Sequence, residues 1–144
     1  IYLWDEGRNT LILAYQQGLP ASSLSGSLAH DTPLVMRIAA SRRPVVYADL
    51  AEESIQGFQP SESTDLHAFA VVPLLAEERL TGLMGLYHHR PGRFTEQDQD
   101  LLLDIGCHLG IALENAFLFQ ETQLLLRKST ALQSSGGKAS PGGL

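Results

Sequence analysis

A single cysteine, Cys107, stands among the 144 residues. One thiol rules out an intrachain disulfide and any cysteine-built structural zinc site, and it fits a reducing compartment, so a cytoplasmic location is expected. Basic residues are also few: ten Lys and Arg against sixteen Asp and Glu leave a formal net charge of -6. Neutralising a phosphate backbone needs a clustered basic excess. Only Arg42 with Arg43 and Arg127 with Lys128 are adjacent, so nucleic acid is not an expected partner. No continuous run approaches the roughly 18 apolar residues that span a bilayer, and no charged-then-apolar leader opens the chain, so no membrane contact is expected. Groupings that carry chemistry are equally scarce. No Ser-His-Asp or paired-carboxylate arrangement is legible, and Glu52-Glu53 and Glu77-Glu78 fall in turns where charge keeps a loop in water. His88 and His89 are neighbours in a strand and face opposite sides, which does not suit chelation of one metal. Cys107 and His108 point about 100° apart on a helix, and the thiol is expected to pack as a small apolar group. Asp104 and His108, four apart, fit a contact on a helix face. The expectation is no catalytic residue and no metal site.

What is present is an ordinary globular composition, 44% hydrophobic and 18% charged, with length for one domain. Ile1, Leu3, Leu11, Leu13 and Tyr15 alternate around the turn chemistry of Gly7 and Asn9 and predict a hairpin. Ala21 to Ala29 reads as a loop or a short helix. Pro33 after Asp31-Thr32, with Leu34, Val35, Ile38 and Ala39 as a buried side, predicts a helix over 33–41 that Pro44 stops. Pro44 to Asp49 is a strand, followed by a polar loop from Leu50 to His67. Ala68 to Leu75 and Leu80 to His89 are two apolar β-runs that fit an antiparallel hairpin and are expected at the centre of the sheet. Thr95-Glu96-Gln97-Asp98 has the pattern of a capping box and opens a helix over about 95–127. Ser134 to Leu144 is rich in Ser and Gly and reads as a linker or disordered tail. The order predicts an α+β domain with an antiparallel sheet of five to six strands flanked by helices, the last of them long.

The stretch AFAVVPLLAEERLTGLMGLYHHRPGRFTEQDQDLLLDIGCHLGIALENAFLFQET resembles the carboxy-terminal half of a GAF domain. The resemblance is carried by Val72-Pro73-Leu74, Gly82, Pro91 with Arg93-Phe94-Thr95, Asp98 and the helix Ala112-Leu113-Glu114-Asn115-Ala116. Pro44-Val45-Val46 with Asp49-Leu50 is similar to the family's third strand and its exit. It covers residues 1–127, implying a GAF/PAS-like domain that lacks the family's first helix, with 128–144 as linker. A non-catalytic sensory domain of a bacterial-type signalling protein is implied, its output domain lying outside this chain. Relatives that attach bilins do so through a cysteine, and Cys107 sits mid-way along the last helix, so a covalent bilin is not expected. The cyclic-nucleotide type carries an Asn-Lys pair and a Phe-x3-Asp-Glu run. Here Phe94 and Asp98 match, Gln99 replaces the Glu and the pair is absent. The family's methionine sulfoxide reductases need a second thiol to resolve a sulfenic acid. No cofactor is assigned.

Strand alternation puts Leu83, Gly85, Tyr87 and His89 on one face and Met84, Leu86 and His88 on the other. Met84 and Leu86 are expected under the last helix. Tyr87 and His89 would then face a ligand pocket; the resemblance to phytochrome-like members of the fold implies that Phe69 and Val71 share that face, with the ligand between it and the loop from 50 to 67, while Tyr47, Phe58 and Met36 are further lining candidates. The alternative is that these residues close into a second core. On the last helix Leu102, Ile105, Leu109, Ala112, Ala116, Phe119, Gln123 and Leu126 recur at alternating spacings of three and four, a heptad stripe, and Leu113, Phe117 and Leu124 form a second strip. One strip can cover the sheet and the other can meet a partner. A parallel homodimer through Leu109, Ala112, Ala116, Phe119, Gln123 and Leu126 is expected, with a helix of the same chain as the competing cover. The function expected is small-molecule sensing and dimerisation, relayed through the last helix; the rival is a ligand-free dimerisation spacer.

Overall fold

The computed structural model describes residues 1–20, 24–51 and 65–139. Its first hairpin joins β1 (Tyr2–Asp5) to β2 (Thr10–Leu13), and Asn9 takes the positive φ of 52° that closes the turn, a conformation asparagine adopts more readily than most residues. β3 (Ser27–Ala29) pairs with β2, so the segment left open between loop and helix ends as a strand. Three residues are too few for alternation to be visible in sequence. Helix α1 (Pro33–Ser41) starts with Pro33 in its first turn and ends at Arg42, whose left-handed backbone lets its N–H donate to the Ile38 carbonyl at 2.7 Å. Leu34, Val35 and Ile38 are its buried side; Ala39, expected beside them, is exposed.

β4 (Val45–Tyr47), β5 (Ala68–Ala76) and β6 (Arg79–His88) complete an antiparallel sheet in the order β3-β2-β1-β6-β5-β4. The expected central pair is therefore half right. β6 is central beside β1, whereas β5 lies one strand from the edge, because the hairpin β1–β2 adds to the free side of β6. Every residue of β5 is nonetheless buried, since both of its faces are covered. On one face Phe69 and Val71 join Leu83, Tyr2, Leu11, Leu28 and the apolar side of α1. On the other, Ala70 and Val72 pack with Met84, Leu86, Phe94 and Leu102. The sheet faces are those that strand alternation predicts.

A 3-10 turn (Glu96–Asp98) leads into α2 (Gln99–Ala139), and the Asp98 carboxylate accepts a hydrogen bond from the Thr95 N–H at 2.9 Å. That is the capping pattern read from the sequence. Two small residues then seat α2 on the sheet. A Cβ built on Gly106 would collide with the Pro73 carbonyl oxygen, and one on Gly110 with the backbone of Leu75. The helix runs to Ala139 instead of ending near 127, because serine and glycine lower helix propensity without the steric block that proline imposes. By length and composition alone the stretch Glu96–Gln133 could cross a membrane, with an 18-residue window of hydropathy 1.5. Of its early positions Leu102, Gly106 and Gly110 pack against the sheet, whereas Leu101, Ile105 and Ile111 are exposed. The chain divides into two units, Ile1–Ile111, which holds the sheet, and Ala112–Leu144, which among its described residues is helix alone.

Candidate functional site

Registration of the strands places Tyr47, Phe69 and Tyr87 directly opposite one another across β4, β5 and β6. Their rings stack in a row: Tyr47 on Phe69 with centroids 5.9 Å apart, and Phe69 on Tyr87 at 4.6 Å. Gly85 makes the room. A Cβ there would already be at 3.4 Å from both the Phe69 and Tyr87 rings, so the space it leaves is occupied by aromatic carbon. Burial pushes the Tyr87 hydroxyl well above the ordinary tyrosine range, and the nearby Tyr2 adds to the effect.

Beyond this row the sheet opens into a cleft of about 330 Å³, lined by Gly85–Tyr87 of β6, His89, Leu66, Tyr2 and the segment 15–19 after β2. Among the described residues no Asp, Glu, Lys or Arg side chain lines it. Its polar side chains include Tyr15, Gln16, Gln17 and His89, and the Ile1 amino group at its edge donates to the Tyr15 carbonyl at 2.6 Å. Of these side chains only His89 was expected; Tyr15 and Gln17 were not, nor was Gln16. Its side-chain oxygen is buried and has no hydrogen-bond partner among the described residues. Such an atom costs about 1–3 kcal/mol until a donor reaches it. No motif marks a glutamine that follows a hairpin, so only the packing could reveal it.

The expected lining residues are thus distributed over three places. Tyr87 and His89 line the cleft. Phe69 and Val71 are fully buried in the core, with Tyr47 against Phe69, and do not border the cleft. Met36 lies on α1 in a separate groove of about 620 Å³, with Val35, Trp4 and Leu80. Phe58 lies outside the described residues.

Next to the cleft, His67 is gripped by two carboxylates. Its Nδ1 lies 3.2 Å from Asp49 Oδ1 and its Nε2 3.2 Å from Asp65 Oδ1, while His89 Nδ1 is 2.7 Å from the Asp65 carbonyl. Only an imidazolium donates from both ring nitrogens at once. The hydrogen bond to Asp49 raises the pKa of His67, with Asp65 adding to it, and Asp49 is lowered by the Ala51 N–H and by His67. The signs define a window. The His67 contribution is complete below the unfolded histidine value and disappears as pH rises through the raised folded value. The Asp49 contribution is present above the unfolded carboxylate value and is lost as pH falls through the depressed one. Imidazole NMR should find His67 titrating above an unperturbed histidine. Asp49→Asn should bring it down, and no change on that substitution would refute the pairing.

On α2, Leu102 is buried with Ala70 and Val72 and so belongs to the sheet-facing side, while Leu109 is half-buried. In the second unit Ala112, Ala116, Phe119, Gln123 and Leu126 are all exposed, Phe119 by 65% and Leu126 by 57%. Phe117 and Leu124 of the other strip are exposed too.

A six-stranded antiparallel sheet with one helix packed on each face and a small-molecule-sized cleft beside the strand β6 defines an α+β domain of the GAF/PAS-like type. More narrowly, the family model for the GAF domain matches residues 1–114, and the chain belongs to that family, whose members occur in sensor and signalling proteins. Among solved structures, it resembles the GAF domain of a phosphoenolpyruvate-protein phosphotransferase from Acinetobacter at 24% identity and a TM-score of 0.62, covering 80% of this chain and 70% of that one. A GAF domain/HD domain protein from Geobacter sulfurreducens matches at 22% identity and a TM-score of 0.60, over 81% of this chain and 79% of the other. The free methionine-R-sulfoxide reductase of Neisseria meningitidis, an enzyme, matches at 22% and 0.60 over 77% of this chain, which spans 62% of that protein. At these identities the likeness is one of fold. No curated protein matches.

Proposed function

We propose that this GAF domain is a non-catalytic sensor that takes an uncharged, largely apolar small molecule in the cleft beside Tyr87 and His89, and that it dimerises through α2. The observation that carries the ligand is the buried, unpartnered Gln16 oxygen on a cleft without charged side chains: it calls for a ligand with one N–H or O–H donor on an apolar body. The stripe Ala112, Ala116, Phe119, Gln123 and Leu126 supports the dimer, because apolar residues at heptad spacing left open to water are stabilised by a second helix of the same pattern. Ligand occupancy would bias the packing of the sheet and hence the angle or register of paired helices, which an output domain feels. The reading includes no nucleic-acid or membrane contact, a cytoplasmic setting, and a domain comprising residues 1–127 with a linker beyond. It excludes reductase chemistry, since Cys107 has no second thiol in this chain to resolve a sulfenic acid.

Native mass spectrometry of the purified chain tests both parts. A dimer carrying one discrete added mass per chain is expected. Gln16→Leu should lose the adduct and keep the dimer, whereas Phe119→Glu with Leu126→Glu should give a monomer. A wild-type monomer would remove the α2 interface.

A second reading, a ligand-free dimerisation spacer, is favoured by the Tyr47–Phe69–Tyr87 row, which fills with aromatic rings the face where the pocket was expected. It predicts a dimer of bare mass that stays bare when small molecules are supplied.

A further inference from the structure

The groove that α1 forms with Trp4 of β1 and Leu80 of β6 has a different chemistry from the cleft. Its apolar wall is made by Trp4 of β1, Leu80 of β6 and Val35 and Met36 of α1, and Met36 is 57% exposed there. Its polar wall is His30, Asn9 and Arg42, and among the described residues no carboxylate lines it, in a chain whose net charge is -6. Three other arginines of this region are engaged, while Arg37 of α1 is exposed and does not line the groove. Arg8 pairs with Asp5, Arg79 with Glu6, and Arg43 with Asp100 at 3.2 Å. Arg42 has no ion pair among the described residues, and its backbone is fixed by the bond from its N–H to Ile38.

We propose that this groove is a second small-molecule site, distinct from the cleft beside Tyr87, which binds an organic carboxylate with an aryl or branched-alkyl body. The guanidinium of Arg42 can take a carboxylate through two parallel N–H donors, and the imidazole of His30 and amide of Asn9 add further donors. The indole of Trp4 and the thioether of Met36 supply the apolar and aromatic-compatible surface for the body of the acid. A volume of about 620 Å³ accommodates a molecule of that size. The Arg42 charge, with donors from His30 and Asn9 beside it, is what favours an anion here.

The chain carries its own reporters, because Trp4 is its one tryptophan and its two methionines divide between the sites, Met36 in the groove and Met84 at the cleft. Phenylacetate, benzoate and 4-methylpentanoate are titrated against tryptophan fluorescence and 13C-methyl methionine NMR, with 2-phenylethanol as the uncharged counterpart. At least one acid should saturably change Trp4 emission and shift the Met36 methyl while Met84 stays in place. The alcohol at equal concentration should do neither. Arg42→Gln, on the surface, should weaken the acid about tenfold or more with thermal unfolding unchanged, and Arg42→Lys should recover part of it. Acid and alcohol acting alike, a shift at Met84 instead of Met36, an unaffected Arg42→Gln, or no saturation by any of the three acids would each overturn the proposal.

Discussion

Gly110→Ala is expected to destabilise the domain by about 1–3 kcal/mol, although alanine normally gains about 1 kcal/mol over glycine inside a helix. The sign decides between two accounts of α2. If its first turns only lie near the sheet, propensity wins and the variant is more stable. If the helix backbone is seated on β5, a methyl at Gly110 meets the oxygen, carbon and nitrogen of Leu75, all backbone atoms that cannot rotate away. The helix must then lift, opening the contacts of Leu102 with Ala70 and Val72. Gly106→Ala should act in the same direction, against the Pro73 carbonyl and a Val72 methyl. Gly26→Ala is the control, with nothing within 4 Å of the new carbon, and should stay within about 0.5 kcal/mol of wild type. Urea unfolding at constant m-value measures all three.

This close approach marks where sequence reading of the long helix fell short. Counting apolar residues at spacings of three and four joined Leu102 to the exposed stripe, yet Leu102 shares its side with Gly106 and Gly110. A hydrophobicity count gives glycine no weight, although a missing side chain is what allows two backbones to meet. Elsewhere the legible elements were those with local causes. Pro33 opens α1 and Pro44 bars its continuation, Thr95 and Asp98 open the terminal helix, and the alternation along β6 sorts Tyr87 from Met84 correctly. The site was less legible because it depends on which surfaces remain uncovered. Alternation and the family resemblance together assign Phe69, Val71 and Tyr87 to one face, but cannot tell that cross-strand rings fill the centre of that face and leave open only the end near His89. Gln16 enters through the path of the chain after β2, and the His67 grip joins Asp49 and Asp65 from either end of a polar stretch. Neither has a sequence pattern.

Phe69→Ala should cost about 3–5 kcal/mol, a large share of the roughly 5–15 kcal/mol that holds a domain together. Phe69 is fully buried and stacked on both neighbours, so its removal forfeits the burial of the ring, leaves a cavity between Tyr47 and Tyr87, and loses two ring contacts. A milder substitution guards against outright unfolding. Phe69→Leu keeps an apolar side chain in place and should cost distinctly less, with the native circular dichroism retained. A double-mutant cycle of Phe69→Leu with Tyr87→Leu should return a coupling of about 0.5–1.5 kcal/mol, the amount an aromatic pair adds beyond its buried area. The outcome bears on function as well as stability. Were Phe69 a pocket-lining residue, its truncation would enlarge a ligand space at little cost and alter binding, and the coupling would shrink toward zero. If instead the row is core, Phe69→Ala weakens folding strongly, while Gln16→Leu removes the ligand with little effect on unfolding. That opposition between the two variants would place the sensing site at the open end of the sheet, beyond the aromatic row that supports it.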